Sequence, residues 1–199
     1  MAATADRKLT LADIADVRAY ERERDAFRAE VIALKKRRRV AVGPFVTLVF
    51  ENRTTIRFQI QEMARVERIA SDEGIQAELD VYNPLIPEPG SLSATLFVEL
   101  TSKDDLVEWL PKLVGIERAV ELRAGDLVVT ARPDAAHDAQ LTRDLVTSSV
   151  HYVHFDLTPE QVNAVESGPV ELAIALDSYS YAAKLHETVL SELLLDLRG

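Results

Sequence analysis

The feature that most constrains the fold is the segment of residues 45–50, FVTLVF, in which both alternating sets of side chains are mainly β-branched or aromatic. A strand that is apolar on both faces lies inside a sheet, with protein packed on each side. Gly43 and Pro44 come directly before it and favour a bend, because proline cannot donate a hydrogen bond to a sheet. We therefore predict a central strand that is covered on both faces.

An amphipathic helix over residues 53–72 is predicted after this strand. Asn52 is a suitable N-cap, since its side chain can accept a hydrogen bond from the first helical turn. Five apolar residues recur at helical spacing and predict the buried stripe: Ile56, Ile60, Met63, Val66 and Ile69. The opposite, solvated face is predicted to carry Arg57, Gln61, Arg65 and Arg68.

The order of the remaining signals indicates the fold class. The chain reads as helices, strand, helix, strand, helix, hairpin, strand, helix, strand and helix. This irregular alternation, together with a hairpin at residues 124–126, favours a mixed, mostly antiparallel sheet over a doubly wound parallel one. We predict a single α+β domain over residues 9–199, with a sheet of about six strands and flanking helices. Residues 1–8 are predicted to be a disordered N-terminus.

Local signals predict where several loops and helices lie. Residues 83–90 contain three prolines and a glycine, and therefore form a stiff loop. Residues 133–149 are polar, include His137 and read as a surface loop. Thr158 and Pro159 are a cap and a first helical residue. The last helix is predicted to begin at Asp177 or Ser178.

The composition excludes several classes of function. The 199 residues include no cysteine, which excludes disulfides, cysteine-ligated metal centres and thiol catalysis. The net charge is −10: residues 1–72 carry 15 Lys and Arg against 11 Asp and Glu, whereas the rest carry 8 against 22. Because nucleic-acid binding needs a basic face, the acidic body argues against that function. No apolar run reaches the roughly 20 residues that span a bilayer. The N-terminus also lacks a secretory pattern, so we expect a cytoplasmic protein.

A run of five cations offers the first candidate site. One interpretation is a site for an anionic ligand or an acidic partner. The other is a charge cluster at a helix C-terminus, favoured by the helix dipole and paired with the acidic body. The candidate anion-binding residues are Lys35, Lys36, Arg37, Arg38, Arg39 and Arg57.

Arg57 lies near the N-terminus of the central helix, where a cation is unfavourable. We therefore expect it to be structural or to organise a ligand. Glu51, or a carboxylate from the acidic C-terminal half, is the predicted compensating charge, and a bound anion is the alternative.

A pocket between the sheet and the central helix is the second candidate site. Tyr152, His154 and Asp156 share one face of a predicted strand. They form either a polar relay or a more solvated sheet face without a functional role. His151 and His154 face opposite sides of that strand and cannot bind one ion together. We predict no metal site and no cofactor. The candidate pocket residues are Gln61, Glu62, Tyr152 and His154, with Arg57 beside them.

Four segments carry a family resemblance: LKKRRRVAVGP, RTTIRFQIQEM, ELDVYNPLIP and VHYVHFDLTPEQV, in this order. Together they resemble the bacterial domain-of-unknown-function family 3501, over roughly residues 9–197. The resemblance implies no established activity, so no catalytic residue is carried over. It implies a genomic context of rubrerythrin-like and iron–sulfur oxidoreductase-like proteins, either of which is a candidate partner.

Two functions are consistent with these patterns. The first is a binding or accessory protein, linked to a redox or oxidative-stress system, that recognises an anion or an acidic partner through its basic stretch. The second is an enzyme of unrecognised type that acts on a small anionic substrate in the pocket between sheet and helix. A homo-oligomer is compatible with either function.

Overall fold

Strand β2 (Val46–Phe50) is buried along its whole length and lies inside a five-stranded sheet, as its apolar pattern predicts. The computed structural model describes residues 7–135 and 146–199. Residues 1–6 of the predicted disordered N-terminus, and His137 with most of its predicted loop, therefore lie outside the described residues.

The strands form two sheets, and all described pairings are antiparallel. The first sheet has the order β1-β2-β3-β7-β6, and the second has the order β5-β4-β8-β9. Their bounds are β1 Arg39–Ala41, β3 Ser91–Val98, β4 Val120–Ala124, β5 Leu127–Thr130, β6 Arg132–Pro133, β7 Val150–Asp156, β8 Val170–Leu176 and β9 Tyr179–Lys184. The α+β class is confirmed, with the strands divided between two sheets rather than gathered in one.

Helices pack against both sheets, and two of them begin at caps predicted from the sequence. Asn52 accepts a hydrogen bond from the backbone N–H of Thr55 at 3.0 Å, and Thr158 caps the helix that begins with Pro159. The helices are α1 Val17–Arg37, α2 Arg53–Glu67, α3 Asp72–Tyr82, α4 Lys103–Trp109, α5 Pro159–Ser167 and α6 Glu187–Arg198. Within the described ranges, no helix is long and apolar enough to cross a membrane.

The core consists of two apolar clusters on opposite faces of the first sheet. The larger cluster joins one face of the first sheet to the second sheet and to α5 and α6; Leu48, Leu96, Leu122, Leu172 and Leu193 are among its buried members. The smaller cluster joins α2, α3 and the proline-rich loop, with Tyr152 of β7 packed against it. The first sheet is therefore the middle layer, covered on both faces.

Three expectations about helices are wrong. Val66 is 68% exposed, because it lies six residues, or about 240° around the helix, after the buried Ile60. The helix also ends at Glu67, where Arg68 adopts a left-handed conformation. The last helix begins after His186 instead of at Asp177, because the tyrosines of β9 extend the second sheet first.

Arg38 connects three elements at the point where α1 ends and the first sheet begins. Its side chain is only 1% exposed. It donates hydrogen bonds to the backbone oxygens of Phe50 at 2.9 Å and Glu51 at 3.1 Å. On α6 it pairs with Glu192, at 3.2 Å, and with Asp196. This cation from the basic run is therefore an internal structural group.

We expect Arg38→Ala to lower the free energy of unfolding by about 3–5 kcal/mol, because it leaves two partly buried carboxylates and two backbone carbonyls without their donor. Urea denaturation measures the change. The control is Lys36→Ala in the same run, which removes an exposed cation and should change stability by less than about 0.5 kcal/mol. Equal stability of the two variants would contradict this role for Arg38.

Candidate functional site

The five cations of residues 35–39 do not form one surface. Arg38 is buried, Arg37 pairs with Glu192 at 2.7 Å, and Arg39 pairs with Glu99 at 3.1 Å. Lys35 and Lys36 form no ion pair with any described residue and are the members still available to an anion. The pairing of Arg37, Arg38 and Arg39 with acidic residues agrees with the interpretation of a charge cluster at a helix C-terminus. Anion binding by this segment stays a prediction.

Arg57 is held by three contacts with the segment that leads into and forms α1. Its Nε donates to the backbone oxygen of Asp13 at 2.8 Å, and its guanidinium pairs with Glu23 at 3.0 Å. The guanidinium also stacks over Phe27, 4.8 Å from the ring centre. These contacts favour a structural role, and the compensating carboxylate comes from the N-terminal half instead of Glu51 or the C-terminal half.

Gln61 and Glu62 also face the α1 segment instead of the sheet. Gln61 is buried, against the prediction of a solvated position, and exchanges two hydrogen bonds with the backbone of Ala15. Glu62 accepts hydrogen bonds from Tyr20 at 2.6 Å and from Arg24 at 2.8 and 2.9 Å. The bonds from Arg24 are the main reason that the pKa of Glu62 is lowered. The candidate pocket residues therefore occupy two separate places.

The face of the first sheet beneath α2 carries a row of polar side chains. Thr95 lies opposite Tyr152 and Ser93 lies opposite His154 in the pairing of β3 with β7. Thr95 donates to Glu51 at 2.6 Å, while Oε2 of the buried Glu51 has no hydrogen-bond partner among the described residues. Burial raises the pKa of Tyr152 to about 12. Tyr152 and His154 thus share a polar layer, as their common strand parity predicts.

A groove of about 350 Å³ opens at the edge of this layer. One wall is the proline-rich loop of residues 84–91, and the other is formed by β6 and the end of β7. We call it the proline-loop groove. Its polar lining residues are Lys8, Glu88, Ser91, Arg132, Asp134, His154 and Asp156.

His154 and Asp134 form a buried acid–base pair in the groove. Nε2 of His154 lies 3.0 Å from Oδ2 of Asp134, and both side chains are 9% exposed. Because a carboxylate accepts only, the neutral ring donates its Nε2–H to Asp134. Nδ1 is then an acceptor, and no residue in ranges 7–135 and 146–199 hydrogen-bonds to it. The pair can therefore receive a proton or a hydrogen bond from a ligand.

Two further ion pairs lie at the rim of the groove. Arg132 pairs with Asp156 at 2.6 Å, and both side chains are more than half exposed. Lys8 pairs with Glu88 at 3.1 Å and donates to the backbone oxygen of Ile86 at 2.6 Å. Among the described residues, no group of three or more histidines and acidic residues is placed to hold a metal ion.

The sequence patterns predict His154 and the stiff loop as parts of a site, but not Asp134, Arg132 or Lys8. Arg132 lies directly opposite His154 in the pairing of β6 with β7. A two-residue edge strand carries no periodic signal, so this register cannot be read from the sequence. Only the unusual density of prolines in residues 83–90 signalled a rigid wall.

We expect an NMR titration to give His154 a pKa below its ordinary value of 6.5, because burial disfavours the charged imidazolium. Asp134→Asn should lower this pKa further, since the hydrogen bond from Asp134 raises it. The depressed pKa also means that the contribution of His154 to folding stability falls as pH drops below 6.5. An unchanged or higher pKa in Asp134→Asn would contradict the pairing.

Comparison with known proteins identifies the family. The family model described as "Protein of unknown function (DUF3501)" matches residues 8–197. A crystal structure of a novel protein of unknown function from Burkholderia pseudomallei K96243 is 38% identical, with a TM-score of 0.87 over 96% of this chain and 99% of that one. No curated protein matches the chain. The family match and the structural likeness agree with the motifs found in the sequence, and the chain belongs to the DUF3501 family.

Proposed function

We propose that this protein acts in the cytoplasm as a binding protein for a small polar ligand held in the proline-loop groove. The observation that carries the proposal is the buried His154–Asp134 pair, whose free Nδ1 belongs to a residue that lines the groove. An imidazole acceptor without a protein partner, on a residue that lines a groove, is available to accept a hydrogen bond from a ligand.

The size and rigidity of the groove support binding. Its volume of about 350 Å³ falls in the range of about 300–1,000 Å³ for small-molecule sites. Pro84, Pro87 and Pro89 stiffen one wall, and Lys8 ties that wall to the chain before α1. A preformed wall reduces the conformational entropy that a ligand must overcome on binding.

Binding is tested by screening a library of small metabolites at millimolar concentration with backbone amide NMR. We expect at least one compound to shift the resonances of β6, β7 and residues 84–91 in wild-type protein and in Arg28→Gln, an exposed substitution outside the groove. His154→Gln should weaken that binding because it removes the ring acceptor. A screen without a compound that shifts groove resonances, or equal binding by His154→Gln, would contradict the proposal.

We also propose an accessory role beside a rubrerythrin-like or iron–sulfur oxidoreductase-like protein, as the family resemblance implies. Lys35 and Lys36, which pair with no carboxylate in the described ranges, are the surface that such an acidic partner would contact.

This partner proposal predicts that the double variant Lys35→Glu/Lys36→Glu recovers less of the neighbouring rubrerythrin-like protein in a pull-down from host extract. Added salt should weaken the wild-type interaction, because exposed charges are screened. The control is Arg28→Glu, which reverses an exposed charge elsewhere on α1. Equal recovery by wild type and the double variant would exclude this surface.

A further inference from the structure

The rim of the proline-loop groove restricts the chemistry of its ligand. Arg132 and Asp156 form an ion pair in which the two side chains are 58% and 60% exposed. Exposed pairs of this kind contribute little to stability, so the carboxylate of Asp156 is a replaceable partner. A ligand that carries its own carboxylate or phosphate can take its place and bind the planar guanidinium through two parallel hydrogen bonds.

The inner part of the groove requires a different group on the same ligand. His154 is opposite Arg132 in the sheet pairing, and both line the groove. Residues directly opposite in an antiparallel pair have Cβ atoms about 4.5–5.5 Å apart, so one small molecule reaches both side chains. Burial favours the neutral imidazole, and its one N–H, at Nε2, donates to Asp134. Nδ1 can therefore only accept a hydrogen bond. The ligand must supply a hydroxyl or another donor at this end.

We propose that the ligand of the groove is a small hydroxylated anion, whose carboxylate or phosphate binds Arg132 and whose hydroxyl donates to Nδ1 of His154. This inference rests on the proposed function and assigns the chemical class of its ligand. Lys8 adds a second positive charge on the opposite wall, where it pairs with the more exposed Glu88.

The experiment measures affinities by NMR titration with paired probes. Glycolate is compared with acetate, and 2-hydroxyethyl phosphate with ethyl phosphate. The hydroxylated member of each pair should bind about threefold to tenfold more tightly, which is the worth of one hydrogen bond. Tighter binding of the two carboxylates indicates a carboxylate ligand, and tighter binding of the two phosphates indicates a phosphate ligand.

Two variants of the rim ion pair should have opposite effects. Arg132→Gln should weaken binding of the hydroxylated anion about tenfold or more, because a charge-assisted bond is lost. Asp156→Asn should strengthen it about twofold to fivefold, because the competing carboxylate is gone. Damage to the fold cannot weaken binding in one variant and strengthen it in the other. The amide spectra of both variants report whether the fold is kept.

The two proposals fail in different ways. If the groove binds a compound but the hydroxyl makes no difference, or if Asp156→Asn and Arg132→Gln change affinity in the same direction, the ligand class is wrong and groove binding stands. If no compound shifts the groove resonances, both proposals are wrong.

Discussion

The fold depends on one buried cation, Arg38. Its guanidinium satisfies the carbonyls at the end of β2 and the carboxylates of α6 together, at the residue that follows α1. Burying a charge costs several kcal/mol unless it is fully paired, and here each side of the guanidinium has a partner. Burial also raises the pKa of Asp196, while the nearby Arg38 opposes that effect. The sheet, the helix before it and the last helix are thereby fixed relative to one another.

This arrangement determines where a site can form. The first sheet uses one face for the large apolar cluster, and its other face, beneath α2 and α3, carries a row of polar side chains beside the small cluster. Side chains on that face are covered in the middle of the sheet but reach the surface at its edge, next to β6. The edge is therefore where a buried histidine pair and solvent-exposed ion pairs meet within one groove.

Local signals predicted much of the fold, whereas the site depends on contacts between distant segments. The burial of β2 and the caps Asn52 and Thr158 follow from short stretches of sequence, and all are observed. Local sequence does not predict strand β9, because its six residues, YSYAAK, mix tyrosines with alanines that also suit a helix. The burial of Arg38 within a run of cations, and the pairing of Arg132 with His154, depend on tertiary packing and sheet register, which no local pattern encodes.

The unequal size of the two apolar clusters has a consequence for how the molecule opens. Among the described residues, the smaller cluster has six buried apolar members, of which α2 and α3 contribute Ile56, Ile60 and Leu79. The polar row beneath these helices contains a carboxylate oxygen of Glu51 without a hydrogen-bond partner in the described ranges. Regions with few buried apolar contacts open at lower free energy than the rest of a protein and behave as separate cooperative units. Backbone amides in α2 and α3 should therefore exchange with solvent deuterium before those of β2 and β3. The helical layer is the part of this fold that can detach while the two sheets remain together.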